Sequence, residues 1–251
     1  MKFSQEETLL YNLGNRPASF DFVTCLATAI ALGAKHVRFV LSESWKRKNY
    51  SRHQAVERFI SIVEPAVALY GLDYSVGEPF GFEPNHILGT ATEVYRKYQR
   101  IGKIQYPCKA GDYVTITLRK SRNPERDSNE AEWRKFADLV GNAIVIPDSE
   151  GGTFPLHERM KLYAGARMNF MVMNGPATLC FHSDAPYLVM RTIGCEASGS
   201  TSPASSKANG IYPGFQFPWA IAGQRLSYLP DTAENIYSEW ENMTAAMALA
   251  A

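Results

Sequence analysis

The chain has 251 residues, of which 45% are apolar, 20% charged and 12% aromatic, a balance that suits a soluble globular protein of one large domain or two small ones. Its formal net charge of +1 argues against a dedicated nucleic-acid binder held by a global basic field. No apolar run reaches membrane-span length, and the opening MKFSQEETLL lacks the charged-then-apolar layout of a signal peptide, so a cytoplasmic protein without a membrane span is expected. Cys25, Cys108, Cys180 and Cys195 are far apart, with no CxxC pair or zinc spacing. Buried reduced thiols, no metal and no cofactor are therefore expected.

In chain order, residues 8–13 read as a strand, followed by the loop Gly14-Asn15-Arg16-Pro17-Ala18. Ser19 is placed to cap a helix through Leu32, with Phe22, Leu26, Ala29 and Ile30 on one face. Residues 36–42 alternate as a strand, 45–52 form a basic loop, and 53–70 follow a helical pattern that Pro65 kinks or ends. A short strand at 72–76, a loop at 77–84 and a helix at 87–101 complete the first series. Residues 107–111 mark a boundary.

A second series follows: strand 113–118, polar loop 119–129, helix 130–140, strand 143–146, loop 147–154, helix 155–166 and strand 168–173. Next come the Asn174-Gly175-Pro176 turn, a short helix and another apolar strand to about Arg191. Residues 194–210 are small and polar and read as a mobile loop. Residues 224–228 look extended, and Asp231-Thr232-Ala233-Glu234 is a capping-box signature that opens a C-terminal helix. Strictly alternating strands and helices imply an α/β fold with largely parallel sheets. Two such series suggest two small Rossmann-like halves facing a cleft, with a single doubly wound sheet as the competing arrangement.

A turn that delivers a strand into a helix start is where α/β proteins bind anions, because backbone N–H groups and the helix dipole converge there. This places a phosphate role on Asn174, Gly175, Pro176, Ala177 and Thr178, although a β-to-α turn needs glycine for conformational reasons too. Arg119 and Arg122 follow a strand end directly, the edge where ligands sit in open α/β sheets, and arginine engages phosphate oxygens in bidentate fashion. Asp148 and Glu150 end the next strand and could meet a ribose or a base. Asp21 lies in the first turn of the first helix, as a simple helix-start carboxylate or as a general base. Trp45 and Lys46, in a basic aromatic loop, could grip phosphate or stack on a base, or be solvated. His182 and His157 have no metal-like companions and are expected in solvent-facing or capping roles. Gln216-Phe217-Pro218-Trp219 could equally line a sugar site or pack in a core.

Taken together these segments resemble compact GT-B glycosyltransferases, closest in layout to the heptosyltransferase-type enzymes. The loop and helix of residues 14–32 with Asp21, the run ITLRKSRNPERDSNEAEWRKFADLV, MNGPATLCFHSDAPYLVM and the closing QRLSYLPDTAENIYSEW are each similar to segments of that family in the same order. The chain departs from the family where Asn174-Gly175-Pro176 stands in place of an Asp-Ser/Thr-Gly turn followed by histidine, and it is short for two full Rossmann halves. The resemblance implies an acceptor-side domain over 1–108, a nucleotide-sugar domain over 109–230, and a helix at 231–251 crossing back to the first domain. It also implies metal-independent transfer of a sugar from a nucleotide diphosphate donor to a hydroxyl acceptor. In that reading Asp21 is the base, Arg119, Arg122 and residues 174–178 hold the donor diphosphate, Asp148 and Glu150 hold the nucleoside, and Arg16, Trp45 and Lys46 lie on the acceptor side. The competing functions are a non-catalytic nucleotide-sugar-binding module, an isomerase or hydrolase of nucleotide sugars, and a viral DNA-modifying glycosyltransferase. For the last of these, nucleic acid is a possible but disfavoured partner.

Overall fold

The computed structural model describes residues 3–41, 51–85, 88–121, 123–149 and 154–250. The chain divides into two compact units, Met1–Gln105 with Pro155–His157, and Tyr106–Phe154 with Glu158–Ala251. Both are α/β, with parallel sheets.

In the first unit a 3-10 turn leads into β1 (Thr8–Asn12), then α1 (Asp21–Ala31), β2 (His36–Val40), α2 (Arg52–Arg58), α3 (Glu64–Leu69), β3 (Asp73–Val76) and α4 (Leu88–Tyr98). The sheet order is β1-β2-β3. Phe82 adds a bridge on the other side of β1, donating to Thr8 O at 2.9 Å and accepting from Leu10 N–H at 2.8 Å. Strand alternation buries Leu9 and Tyr11 from β1 and Val37 and Phe39 from β2. Tyr11 meets Phe22 edge-on at 4.6 Å and Phe39 meets Phe59 at 5.0 Å, so the rings lock α1 and the helical turn after α2 onto the sheet.

The helical pattern of 53–70 is not one α-helix. A π-helical stretch, Phe59–Val63, separates α2 from α3, and Pro65 sits in the first turn of α3. Proline has no N–H and its ring crowds the carbonyl four residues back, so the wider turn just before it absorbs the misfit without breaking the helical course.

In the second unit come β4 (Val114–Lys120), α5 (Glu130–Val140), β5 (Ala143–Ser149), α6 (Leu156–Gly165, whose first two residues belong to the first unit), β6 (Met168–Val172), α7 (Ala177–Phe181), β7 (Tyr187–Met190), α8 (Pro203–Ala208), β8 (Gln224–Leu226) and α9 (Ala233–Ala250). The order β5-β4-β6-β7-β8 is wholly parallel. The chain steps outward from β4 to β5 and returns past β4 to β6, which is the doubly wound flavodoxin-like order with its reversal between β4 and β6. One face of β4 and β6 presents Val114, Ile116, Met168 and Phe170 to a core shared with Trp133, Phe136, Ile236 and Met243. The opposite face is polar and closed by side chains. Asn169 accepts from Thr115 Oγ1 at 2.6 Å and donates to Tyr163 O and Pro186 O, while Thr117 Oγ1 meets the Tyr163 hydroxyl at 2.7 Å.

Four expectations are corrected here. Strands β4 and β5 run longer than their apolar runs, in register from Val114↔Ala143 to Lys120↔Ser149. Arg119 therefore lies inside a strand, and Pro147 is tolerated because β5 is an edge strand. Residues 194–210 form a folded segment: Gly194 N–H donates to Thr201 O at 2.7 Å, Ser202 caps α8, and Glu196, Thr201, Ser202 and Ser206 are buried. Side-chain and backbone hydrogen bonds there replace the apolar burial the segment lacks. The C-terminal helix, expected to cross to the first domain, packs on α5 and β7 of its own unit through Ala233, Ile236, Trp240 and Met243. Asp231 does not complete a capping box within that helix. Thr232 caps Asn235 N–H, and Asp231 reaches α5, accepting from Asn129 N–H at 2.8 Å and Trp133 Nε1–H at 2.9 Å. Glu132 of α5 returns the bond to Ala233 N–H at 3.0 Å, so each helix start is capped from the other helix.

At the β8 edge the Gln216 side-chain amide acts as a short strand, donating to Leu226 O at 2.7 Å and accepting from Leu226 N–H at 2.8 Å. Gln216→Leu is expected to destabilise the protein by about 1–3 kcal/mol, because both backbone groups lose their partner. It should also promote self-association through the opened edge, read as concentration-dependent sedimentation. An unchanged sedimentation and melting profile would dismiss the edge-closing role.

Candidate functional site

The reversal between β4 and β6 puts the loops after these strands side by side at the carboxyl edge of the sheet, the position where ligands bind in doubly wound folds. Arg119, near the end of β4, exchanges backbone hydrogen bonds with Ser128: its N–H donates to Ser128 Oγ at 2.9 Å, and its carbonyl accepts from Ser128 N–H at 3.1 Å. Its side-chain Nε is buried without a hydrogen-bond partner, and so is Nδ2 of Asn174 just after β6. Nearby, Arg126, Val172, Met173, Arg191, Gly194, Glu196 and Thr201 line a narrow recess.

Most of that recess is not marked by any motif in the sequence. Glu196 is 1% exposed. Its Oε1 accepts from Thr201 Oγ1 and faces Arg126 Nε at 3.7 Å, and its Oε2 has no partner. The carboxylate lies against Gly194, where a Cβ would fall 1.7 Å from Oε2, so a side chain there would displace the Glu196 carboxylate. Arg191 adopts φ of +48°, uncommon for a side-chain-bearing residue. Its guanidinium donates to Asp127 O at 2.5 Å and faces Asp231 Oδ1 at 3.7 Å.

The turn at 174–178 has a different character from the expected open cradle. Asn174 Oδ1 accepts the Ala177 N–H at 3.0 Å, Thr178 N–H and Oγ1–H both bond Gly175 O, and Leu179 N–H bonds Pro176 O. Asn174, Pro176, Ala177 and Thr178 are all buried. The Ala177 and Thr178 N–H groups are thus bonded within the turn, by the Asn174 side chain and by Gly175 O. Asn174 Nδ2 is buried and has no hydrogen-bond partner.

In the first unit Asp21 is exposed at the start of α1 and accepts from Ser19 Oγ–H at 3.0 Å. Arg16 is occupied. It donates to Pro84 O at 2.7 Å, faces Glu83 at 3.9 Å and lies over the Tyr11 ring, fastening the 83–84 segment to the loop after β1. Asp148 falls within β5 opposite Arg119. Arg122, Glu150, Trp45 and Lys46 lie outside the described residues.

The remaining candidates are structural. Phe217 and Trp219 are buried, and Trp219 Nε1–H donates to Phe181 O at 2.7 Å. His182, expected in a solvent-facing or capping role, is fully buried and stacked on Trp219. Cys25 and Cys180 are buried, with burial pushing both thiols up, to about 12 for Cys25, so neither is a nucleophile at neutral pH. Cys108 and Cys195 are exposed, against expectation. Among the described residues no cluster of His, Cys, Asp and Glu could hold a metal ion, and no helix is long and apolar enough to cross a membrane.

The second unit is thus a doubly wound α/β domain with a polar site at its switch point. Solved chains similar to this one include the bacterial iron-containing dodecameric glycosyltransferase TibC from enterotoxigenic E. coli H10407, at 12% identity and TM-score 0.48 over 90% of this chain. E. coli heptosyltransferase WaaC is similar at 14% identity over 94% of this chain, with TM-scores of 0.37 and 0.36 for structures holding ADP-2-deoxy-2-fluoro heptose and ADP. The chain spans 64% of the TibC chain and 72% of the WaaC chain. No protein-family model and no curated protein matches it.

Proposed function

We propose that this chain is a glycosyltransferase that moves a sugar from a nucleotide diphosphate donor to a hydroxyl acceptor. The observation that carries this reading is the pair of buried donors without partners, Arg119 Nε and Asn174 Nδ2, at the carboxyl ends of β4 and β6. Hydrogen-bond donors left unsatisfied at a switch point suit a ligand made of acceptor oxygens, as a diphosphate is. Arg119, with Arg122 three residues further on, offsets the charge that builds on the departing diphosphate, a leaving-group role that cationic side chains fill without a metal. Asp148 and Glu150 take the nucleoside, and Arg126 and Arg191 join residues 174–178 around the diphosphate. Asp21 removes the acceptor proton as the oxygen attacks the anomeric carbon, with Trp45 and Lys46 on the acceptor side.

The test is sugar transfer from nucleotide sugars by the wild type and two variants. Asp21→Asn is expected to lower kcat by about 10²–10⁴-fold, the usual range for a lost general base. Arg119→Ala should lower kcat/KM by about 10-fold or more, as a charge-assisted hydrogen bond to phosphate is lost. Unchanged turnover in both variants sinks the assignment. The exposed setting of Asp21 favours one second reading, a nucleotide-sugar-binding module without catalysis. Calorimetry showing tight donor binding with no turnover selects it.

A further inference from the structure

Arg159 is the charged side chain least expected where it lies. It is 2% exposed, among the largest fully buried side chains of the protein. Nη1 donates to the Tyr163 hydroxyl at 3.1 Å and Nη2 to Pro147 O at 3.4 Å, while Nε has no partner. The Phe154 and Tyr163 rings lie 5.4 Å and 5.9 Å from the guanidinium carbon. Among the described residues no carboxylate pairs with it. Aromatic faces and neutral oxygens soften the burial of a charge but do not balance it.

Its position is specific. Pro147 lies opposite Leu118 at the carboxyl end of β4 and β5, and Tyr163 links Arg159 to Thr117 of β4. Val114, Ile116 and Leu118 of β4 pack into the core shared with α5 and α9. Strand alternation therefore puts Arg119 on the other face, with Thr115 and Thr117, the face that α6 covers through Tyr163. Arg119 Nε is likewise buried without a partner. Two guanidiniums, each with a buried Nε that has no hydrogen-bond partner, thus serve one corner of the sheet, where Asp148 stands opposite Arg119 in the β4–β5 register.

We infer that Arg159 and Arg119 together form an anion site for a phosphate-class ligand under the carboxyl ends of β4 and β5. This deepens the donor-site reading, with which it shares Arg119, and adds a cation which that reading did not contain. Arg159 supplies Nε to one ligand oxygen while Tyr163 and Pro147 hold the rest of its fork in plane. The part-exposed Phe154 ring covers the guanidinium and turns aside when the anion enters.

The test is thermal unfolding of the full chain with inorganic pyrophosphate, inorganic phosphate or a nucleoside diphosphate, against sodium chloride at matched ionic strength. Wild type is expected to gain about 5–10 °C at pyrophosphate roughly 100 times its Kd. Arg159→Met keeps the length of the side chain and removes its charge. It is expected to melt no lower than wild type without anion and to lose the pyrophosphate shift. Arg159→Lys, which keeps the charge but not the planar fork, should show a reduced shift and serves if the methionine variant does not fold. A phosphate shift that matches the nucleoside diphosphate shift assigns the site to phosphate groups alone, as inferred. No wild-type shift with pyrophosphate, or a full shift surviving in both Arg159 variants, overturns the inference. Because the readout is binding of a free anion, a retained shift with no sugar transfer would sink the glycosyltransferase reading and leave this one standing.

Discussion

Asp231→Ala is expected to destabilise the protein by about 3–5 kcal/mol, the range found when one partner of a buried ionic network is removed. Asp231 is 4% exposed. Its carboxylate accepts from the Asn129 N–H at the start of α5 and from the Trp133 indole N–H, and it faces Arg191 at 3.7 Å. Alanine leaves an N-terminal helix donor and a buried indole N–H without their acceptor, and takes the carboxylate away from Arg191. It also withdraws a negative charge from the positive end of the α5 dipole. Asp231→Asn should cost less, because both hydrogen bonds are accepted by one oxygen, Oδ2, which the amide keeps, and only the charge facing Arg191 is lost. Urea unfolding followed by tryptophan fluorescence measures both. Equal stability of Asp231→Ala and wild type would mean the network adds nothing to the second unit. A loss confined to Asp231→Ala, with Asp231→Asn near wild type, would show that the hydrogen bonds rather than the charge matter.

Periodicity carried most of the fold. The alternation in HVRFVLS and VTITL yields β2 and β4 directly, and the helix expected over residues 130–140 is α5. The Asn174-Gly175-Pro176 turn was also legible, since glycine after a polar residue between an apolar strand and a small-residue run leaves few alternatives. Its chemistry was not. Whether the backbone donors of a turn are open depends on where the Asn174 amide points, and composition is silent on that.

Arg159 leaves a trace in the sequence. Leu156, Met160 and Tyr163 are buried, and Arg159 falls with them at the i, i+3, i+4, i+7 spacing of one helix stripe. A cation in the core-facing stripe is a signal, but it looks like any surface arginine until the stripe is known to be inward. Glu196 left no trace at all, because the small polar run around it has the composition of a mobile loop. Its order comes from contacts with Gly194, Thr201 and Arg126, which depend on the tertiary fold.

His182 provides the second large effect, and it is one of pH. The residue is fully buried, its ring stacked on Trp219 at 5.6 Å, and desolvation of the charged form pulls its pKa down from 6.5 to about 3. In the unfolded chain the imidazole takes up its proton near pH 6.5. Between about pH 6.5 and 3 the unfolded state therefore binds more protons than the folded one, so stability falls as pH falls through that window and levels off below it. At about 1.4 kcal/mol per pKa unit, this single group can remove up to about 5 kcal/mol across the window. Glu7 and Glu132, held below the usual carboxylate range by hydrogen bonds from Lys35 and Lys135, lose their contribution in the same direction on acidification. An absolute acid slope therefore does not isolate the histidine. His182→Phe does, because it keeps an aromatic ring against Trp219 and removes the titration while leaving both carboxylates in place. Urea unfolding at a series of pH values from 7 to 4 should show a shallower decline for His182→Phe than for wild type, whatever the offset at pH 7. Parallel declines would mean that the imidazole is protonated in the folded protein, and that the packing around Trp219 opens to admit the charge.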